Sequence, residues 1–303
     1  MLFRSRSQGS GWEHAVHYLD RVFDAARVVD PGAGAPTTTE RHAIYAEQMR
    51  ILARRIAEMH QALAIDTEDP AFKREPLTEQ DMAAWRERFL GDAEATFDAL
   101  QAAERTASEG EAPILRDLLA RRADCLETSR KLTEGPITAM KTRIHGDLHL
   151  GQILVAQNDF YIIDFEGEPA RSLAERRAKG SPLRDVAGML RSFDYAAGAT
   201  LNKLAEQDPE GVARVRADAA DWKRLVQETF MASYSQAIAG CPSWPADPAE
   251  AERLLKLFLL DKVLYEIRYE AANRPAWLRI PLAGLAEILD SPAAPKEKAL
   301  VPA

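Results

Sequence analysis

Apolar residues recur at helical spacing along most of the chain. The second predicted helix should begin at a cap at Thr38 or Thr39, and its buried face should include Ile44, Leu52 and Ile56. A segment rich in Pro, Gly and Ala precedes it, at residues 31–36. The full set of predicted helices is residues 11–25, about 38–63, about 78–102, about 113–132, 183–202, 210–239, 247–272 and 281–290.

Only one region has the pattern expected of strands. Strands are predicted at residues 141–144, 152–156 and 160–163, and a turn at 157–159 joins the last two. The sequence therefore predicts an α+β protein that is mostly helical, with one small strand cluster.

Composition and charge narrow the class of protein. The 303 residues carry a net charge of −8 with both signs interspersed, so nucleic acid is not expected as a partner. No apolar run is long enough for a membrane span or a signal peptide. Cys125 and Cys241 are isolated, which is typical of a reducing compartment. We therefore expect a cytoplasmic enzyme or binding protein without a membrane partner.

Polar residues cluster around the predicted strands with the spacing of a phosphoryl-transfer site. Asp147 and Gln152 stand five positions apart, which is the Asp-x-x-x-x-Asn spacing of a kinase catalytic loop with Gln in the Asn position. Asp164 follows 17 positions after Asp147, behind an apolar strand, where kinases place their main magnesium-binding Asp.

Each of these residues has a chemical role in that hypothesis. Asp147 is the candidate catalytic base, and Gln152 and Asp164 are the candidate ligands of Mg²⁺ and of the nucleotide phosphates that it neutralises. Glu166 and Glu168 lie on the same short loop and are candidate ligands of a second Mg²⁺.

The neighbouring residues are expected to support the loop. His145 is predicted to act at the catalytic site by holding the loop through hydrogen bonds. Arg184 and Asp185 are interpreted as a buried charge-assisted pair that braces the loop from the next helix, and His60 as a core histidine. The alternative is that the His-Gly-Asp run is merely a turn and that Asp164 caps a hairpin.

Residues 265–277 mix aromatic rings with hydrogen-bonding side chains, as sugar sites do. An amphipathic helix with buried rings and solvated charges would have the same composition, and the residues alone favour neither interpretation. The candidate substrate-binding residues are Tyr265, Glu266, Arg268, Tyr269 and Asn273.

A nucleotide-gripping lobe is not evident ahead of the catalytic motif. The lysines before Asp147 are Lys73, Lys131 and Lys141, and none lies in a strand of the kinase type. We therefore expect the large C-terminal lobe of a kinase-like fold without its N-terminal β-lobe. The predicted division is a truncated, hinge-side start at residues 1–30, a catalytic and sugar-binding lobe at 31–290 and a tail at 291–303.

The motifs around Asp147, Asp164, Arg184 and Tyr265 resemble those of the maltokinases, bacterial sugar kinases with the aminoglycoside-phosphotransferase fold. The resemblance implies ATP- and Mg²⁺-dependent phosphorylation of maltose at its anomeric hydroxyl, with a trehalose synthase domain or protein as a partner. It also favours the interpretation of residues 265–277 as a sugar-binding wall.

Two other functions fit the same residues. One is a related kinase of the aminoglycoside or choline type, which would want an acidic patch for a cationic substrate. The other is a non-catalytic lobe that binds sugar or trehalose synthase. The observation that supports this alternative is that no β-lobe is evident in the sequence. Intact Asp147, Gln152 and Asp164 argue for the enzyme.

Overall fold

The structure is a computed structural model that describes residues 8–28, 37–107, 109–169 and 171–291. The predicted linker at 31–36 and most of the predicted tail lie outside these residues. Among the described helices, none combines the length and the apolar content that crossing a bilayer requires. The helices are α1 (Gly11–Val28), α2 (Thr38–Leu63), α3 (Glu79–Glu104), α4 (Ala112–Ala120), α5 (Arg122–Leu132), α6 (Leu173–Arg177), α7 (Leu183–Gln207), α8 (Pro209–Ile238), α9 (Pro248–Asn273) and α10 (Arg279–Asp290). The strands are β1 (Glu75–Pro76), β2 (Met140–Lys141), β3 (Ile153–Ala156) and β4 (Asp159–Ile162).

The prediction of a mostly helical α+β chain with small strand clusters is confirmed. The chain divides into two compact units, one of residues 1–74 and 141–244 and the other of 75–140 and 245–303. The predicted division at residues 30 and 290 follows a different criterion and stays a prediction.

The first unit is a helical core that carries a β-hairpin. Helix α2 packs along α8, and α7 packs against α1 and α8, because each helix has an apolar face that must be buried. The largest side chains at the centre of this core are Phe23, Tyr45, Phe193, Trp222, Phe230 and Tyr234.

The hairpin positions the candidate site within this unit. Strands β3 and β4 pair in antiparallel register from Ile153 opposite Ile162 to Ala156 opposite Asp159. Gln157 and Asn158 both have positive φ, 54° and 60°, as a two-residue turn of type I′ requires. The predicted turn is thus confirmed. The Arg55 guanidinium of α2 binds both carboxylate oxygens of Asp159, at 2.9 and 2.8 Å, and so fixes the start of β4.

The second unit contains α3, α4, α5, α9 and α10. Helix α3 packs on α9 and α5, and α10 packs on α9. The N-terminus of α3 has the predicted capping box, in which Thr78 and Asp81 satisfy each other's backbone N–H groups. The core side chains of this unit include Phe89, Phe97, Leu100, Leu254, Phe258, Leu264 and Ile267.

Several local predictions were wrong. The cap of α2 is Thr37 rather than Thr38 or Thr39, because its hydroxyl accepts from Glu40 N–H and completes a capping box. Ile44 was predicted to lie on the buried face of α2, but it is 80% exposed. The elements that pack against a helix decide which of its faces is buried, and a single apolar side chain does not.

Two predicted elements have different bounds. The strand predicted at 141–144 is limited to β2 and an isolated bridge between Thr142 and Gly180. The helix predicted at 113–132 is two helices, which separate at Arg121. Residues 8–10 lie in backbone hydrogen-bond contact with β3, through Gln8 N–H to Val155 O at 2.7 Å. The sequence pattern predicts no strand before residue 140, so this pairing and strand β1 at Glu75–Pro76 both correct it.

Helix α7 presents one polar and small face to the loop between β2 and β3. Asp185, Gly188 and Ser192 follow one another at spacings of three and four, so they lie on one side of the helix. Asp185 accepts hydrogen bonds from the loop, Ser192 Oγ accepts one from Leu150 N–H at 3.3 Å, and Gly188 allows the loop backbone to approach. A Cβ atom at Gly188 would stand 2.5 Å from Leu148 O.

Replacing Gly188 by Ala should therefore destabilise the fold, by about 1–3 kcal/mol, because the loop backbone must move away from α7. Gly91→Ala is the matched control. Gly91 also lies inside a helix, and a Cβ there meets nothing within 4 Å. That variant should gain up to about 1 kcal/mol of stability from helix propensity. Urea unfolding of both variants measures the two changes, and equal signs would contradict the close approach.

Candidate active site

The catalytic loop, residues 145–152, is built on hydrogen bonds from a buried histidine. The His145 ring is 1% exposed and its Nε2–H donates to Ile163 O at 2.8 Å. Its Nδ1 accepts from Asp147 N–H at 3.3 Å, so both ring nitrogens have partners. The ring therefore connects the loop to the backbone just before Asp164. These are hydrogen bonds of the kind that the predicted supporting role requires, and the role itself stays a prediction.

Asp147 lies at the opening of this loop with a side chain that is 16% exposed. Its Oδ2 stands 3.9 Å from Nε2 of His149. His149 in turn caps the short 3₁₀ turn Leu150–Gln152, because its Nδ1 accepts from Gly151 N–H at 3.0 Å. The turn presents Gln152 at the start of β3.

A single buried carboxylate, that of Asp185, holds the loop from below. Its Oδ2 accepts from His145 N–H at 2.7 Å and its Oδ1 from Gly146 N–H at 2.8 Å. Oδ2 also accepts from Nε2–H of His60, at 3.1 Å. Burial on its own would raise the pKa of Asp185, but the hydrogen bond and charge of His60, the charge of His145 and the Gly146 N–H together lower it.

The interpretation of Asp185 as a brace agrees with this geometry, but its expected partner does not. Arg184 does not pair with Asp185; its NH2 stands 3.5 Å from Glu168. The partner of Asp185 is His60, whose Nδ1 is 2.8 Å from the Tyr234 hydroxyl. His60, Asp185 and Tyr234 thus form a buried hydrogen-bonded chain from α8 through α2 and α7 to the loop. The sequence indicated only that His60 was a core histidine.

Asp164 and Gln152 come together at the end of the hairpin. Nε2 of Gln152 donates to Oδ2 of Asp164 at 3.0 Å. Asp164 has a φ of 65°, in the left-handed region that costs free energy for a residue other than glycine. Such strain persists where the surroundings hold it, and here it directs an exposed carboxylate beside the amide.

The acidic loop, residues 164–169, places its two glutamates differently. Glu166 is exposed, whereas the Glu168 side chain is 8% exposed and accepts from Nε of Arg171 at 2.7 Å. Between them Gly167 has a φ of 74° and packs under the aliphatic part of Arg176. The predicted metal ligands therefore differ in environment. Asp164, in contact with Gln152, and Glu166 are exposed, whereas Glu168 is buried against Arg171.

The donor set at the exposed end suits Mg²⁺. Among the described residues, no group of three or more His, Cys, Asp or Glu side chains is arranged to hold a metal ion. Mg²⁺ does not need one, because it is usually bound by one or two protein oxygens together with waters and substrate phosphates. An amide and a carboxylate in contact, as at Gln152 and Asp164, fit that requirement.

The predicted substrate-binding residues lie on α9, in the second unit. They differ in their exposure and in their hydrogen-bond partners. Tyr265 and Tyr269 have stacked rings 6.1 Å apart, and Tyr269 is exposed. Glu266 is buried, and Arg268 is tied to Asp92 and Thr96 of α3. Asn273 donates to Tyr269 O, one turn back along its own helix. Of the five, Tyr269 and Asn273 are exposed, Tyr265 and Arg268 are half-buried and Glu266 is buried.

Arg274 and Trp277 lie in the same segment but were not among the predicted substrate-binding residues. The Arg274 guanidinium stands 5.3 Å from the Tyr269 ring centroid and 4.7 Å from that of Trp277, and it binds both oxygens of Glu270. The Asn-Arg-Pro-x-Trp sequence was the available signal for this ladder of rings and guanidinium.

Comparison with known proteins gives one family. Residues 5–225 match the model of the phosphotransferase enzyme family, APH. The chain is 28% identical over 279 residues to a glucosamine kinase of Streptacidiphilus jiangxiensis, covering 92% of the chain and 55% of the relative. It is 34% identical over 240 residues to a glucosamine kinase of Mycolicibacterium smegmatis, covering 78% and 52%. The chain thus spans about half the length of these curated relatives.

Solved structures show the same fold. A glucosamine kinase in complex with glucosamine, ADP and inorganic phosphate superposes with a TM-score of 0.70 at 24% identity, over 93% of this chain and 61% of that one. A second crystal form of glucosamine kinase gives a TM-score of 0.69 at 24% identity, over 93% and 58%. The predicted aminoglycoside-phosphotransferase type of fold is confirmed.

Asp185→Asn should lower the free energy of unfolding at neutral pH by about 1–3 kcal/mol, because an amide cannot accept all three N–H donors. A lowered folded-state pKa stabilises the fold above the unfolded value and ceases to do so as pH falls through the folded value. The difference between wild type and variant should therefore shrink in acid, below the ordinary Asp pKa of 3.8. Urea unfolding followed by circular dichroism across this range measures it.

The control for this experiment is Asp218→Asn. Asp218 makes a partly exposed ion pair with Arg41 at 2.6 Å in the same unit, so its loss should cost no more than about 1 kcal/mol. An Asp185 variant as stable as this control would contradict the bracing role.

Proposed function

Because the chain belongs to the phosphotransferase enzyme family, we propose that it is the catalytic portion of a sugar kinase, which transfers the γ-phosphoryl group of ATP to a sugar hydroxyl. One observation carries the proposal. Gln152 and Asp164 are in contact beside a catalytic loop whose backbone Asp185 holds in place. The named relatives, both sugar kinases, support it.

Asp147 is the base in the proposed reaction. The acceptor hydroxyl oxygen forms a bond to the γ-phosphorus, the bond from that phosphorus to the β,γ-bridging oxygen breaks, and ADP leaves. The hydroxyl proton passes to the Asp147 carboxylate. That side chain is 16% exposed, so a substrate can reach it, while its backbone N–H is bound to His145. His145 holds the loop through its hydrogen bonds.

Gln152 and Asp164 would hold Mg²⁺ together with the nucleotide phosphates. The ion would supply charge neutralisation on the transferring group. Asp164 contributes an exposed carboxylate that the φ of 65° and the Gln152 amide orient. Glu166 is the remaining exposed acidic side chain of the loop available for a second ion.

An apolar strip on the hairpin suits the base of the nucleotide. Leu154 lies directly opposite Tyr161 across the two strands, and Ile163 follows on the same face. Tyr161 and Ile163 are 43% and 36% exposed, so this face of the hairpin presents apolar side chains to solvent. The strip ends one residue before Asp164, so a base lying on it would leave the phosphates near the metal ligands.

Glucosamine is the first candidate acceptor and maltose the second. Glucosamine rests on the names of the relatives. Maltose is the acceptor that the sequence resemblance implied, and the exposed Tyr269 ring suits the face of an uncharged sugar. The trehalose synthase partner also stays a prediction.

A panel of acceptors tests the activity of the full chain. With ATP and Mg²⁺, glucosamine should yield ADP and a sugar phosphate, whereas N-acetylglucosamine, which lacks the ammonium charge, should react poorly. Coupled detection of ADP and calorimetric titration of each sugar are the measurements. A preference for maltose would change the proposed acceptor, but the proposal of a sugar kinase would stand. Turnover of no sugar by a folded chain would contradict the kinase proposal for this chain.

Asp147→Asn should reduce turnover by about 10²–10⁴-fold while leaving the sugar dissociation constant nearly unchanged, because the amide cannot accept the hydroxyl proton. Steady-state kinetics and titration of the sugar measure the two quantities. Asp218→Asn, which alters the partly exposed pair with Arg41, is the control and should turn over normally. Near-normal turnover of Asp147→Asn would eliminate its role as the base.

A further inference from the structure

Glu168 lies in an environment unlike that of a metal ligand. Its buried Oε2 accepts from Nε of Arg171 at 2.7 Å and stands 3.5 Å from NH2 of Arg184. Arg171 N–H also donates to Glu168 O, at 3.0 Å, so the backbone turns back on itself here. Two guanidinium groups thus share the carboxylate that the sequence motif had suggested for Mg²⁺.

We propose that Glu168 is a positioning residue, which clamps the acidic loop to the first turn of α7 through Arg184, with Arg171 as its second partner, and does not itself bind the metal. Arg184 and Asp185 are adjacent on α7. Arg184 faces Glu168 of the acidic loop, and Asp185 accepts from the backbone of the catalytic loop. One helical turn therefore holds both loops.

The two loops also touch directly between these attachments. A Cβ atom built on Gly146 would stand 3.4 Å from the Cα of Gly167, so the backbones approach closely at two residues with positive φ. Arg176 covers Gly167 on its other side and donates to Glu166 O at 3.4 Å. The contact sets the separation of the two loops, and the clamp keeps it closed.

Electrostatics favours the clamp over coordination. A metal ligand at Glu168 would have to give up a buried ion pair, and breaking such a pair is costly. Mg²⁺ at that carboxylate would also lie beside two guanidinium groups, and like charges at short range in a partly buried site repel strongly. Glu166, which is exposed, carries neither cost.

The positioning role serves the proposed phosphoryl transfer, but the clamp can be tested without it. Hydrogen exchange of the full chain, with no nucleotide or metal, should show faster exchange of the amides of residues 164–168 in Glu168→Gln, by about tenfold. Glu168→Asp, which keeps the charge, should retain part of the protection. Unchanged exchange in Glu168→Gln would overturn the proposal.

Glu47→Gln is the matched control. Glu47 binds Arg50 at 2.7 Å with the same spacing of three, but both side chains are exposed on α2. It should leave the exchange of the amides of residues 164–168 unchanged. Acceleration by this control equal to that of Glu168→Gln would overturn a specific clamp.

A titration with Mn²⁺, followed by electron paramagnetic resonance, separates the clamp from coordination. Asp164→Asn should weaken Mn²⁺ binding, and Glu168→Gln should leave it within about twofold of wild type. A loss in Glu168→Gln as large as in Asp164→Asn would overturn the proposal. If the wild-type chain binds no Mn²⁺ and phosphorylates no sugar, the proposed function fails, while the exchange experiment still decides the clamp.

Discussion

The buried carboxylate of Asp185 is the constraint on which the candidate site depends. An ionised carboxylate offers only acceptors, and here three N–H groups from His60, His145 and Gly146 meet it. Burying a charge is unfavourable unless its lone pairs are satisfied, so the arrangement tolerates little variation. Because the donors come from α2 and from the catalytic loop, the conformation of the loop is coupled to the packing of the helices around it.

Close approaches between backbone segments also hold the catalytic loop in place, in addition to the hydrogen bonds of Asp185. Leu148 O lies against Gly188 of α7, and Gly146 lies against Gly167 of the acidic loop. A side chain at these positions would separate the catalytic loop from α7 and from the acidic loop. The site is therefore held by hydrogen bonds along one face of α7 and by glycines where the chain segments meet. Loops held in this way can present strained or exposed carboxylates, as at Asp164.

The sequence predicted what depends on local spacing and missed what depends on the neighbours in space. Most of the helices, the turn between the last two strands and the choice of Gln152 and Asp164 as candidate metal ligands follow from periodicity and motif spacing. The exposure of Ile44 does not, because burial depends on which helix packs there. Nor do the partners of Asp185 and Glu168, since His60 lies 125 positions before Asp185. A sequence motif identifies the carboxylates of a site, but it does not show which of them are paired with a guanidinium in the fold.

The same reasoning explains why the acceptor is harder to infer than the reaction. Phosphoryl transfer needs a base and metal oxygens at short spacing, and these residues lie within one stretch of the first unit, from Asp147 to Asp164. A sugar is selected by shape and by charge elsewhere, and the residues predicted for that role lie on α9. There the charged side chains are already engaged: Glu270 binds Arg274, and Arg268 binds Asp92 of α3. Because these groups have partners within their own unit, their composition alone does not distinguish a cationic from a neutral sugar, and the sugar-binding role of α9 stays a prediction.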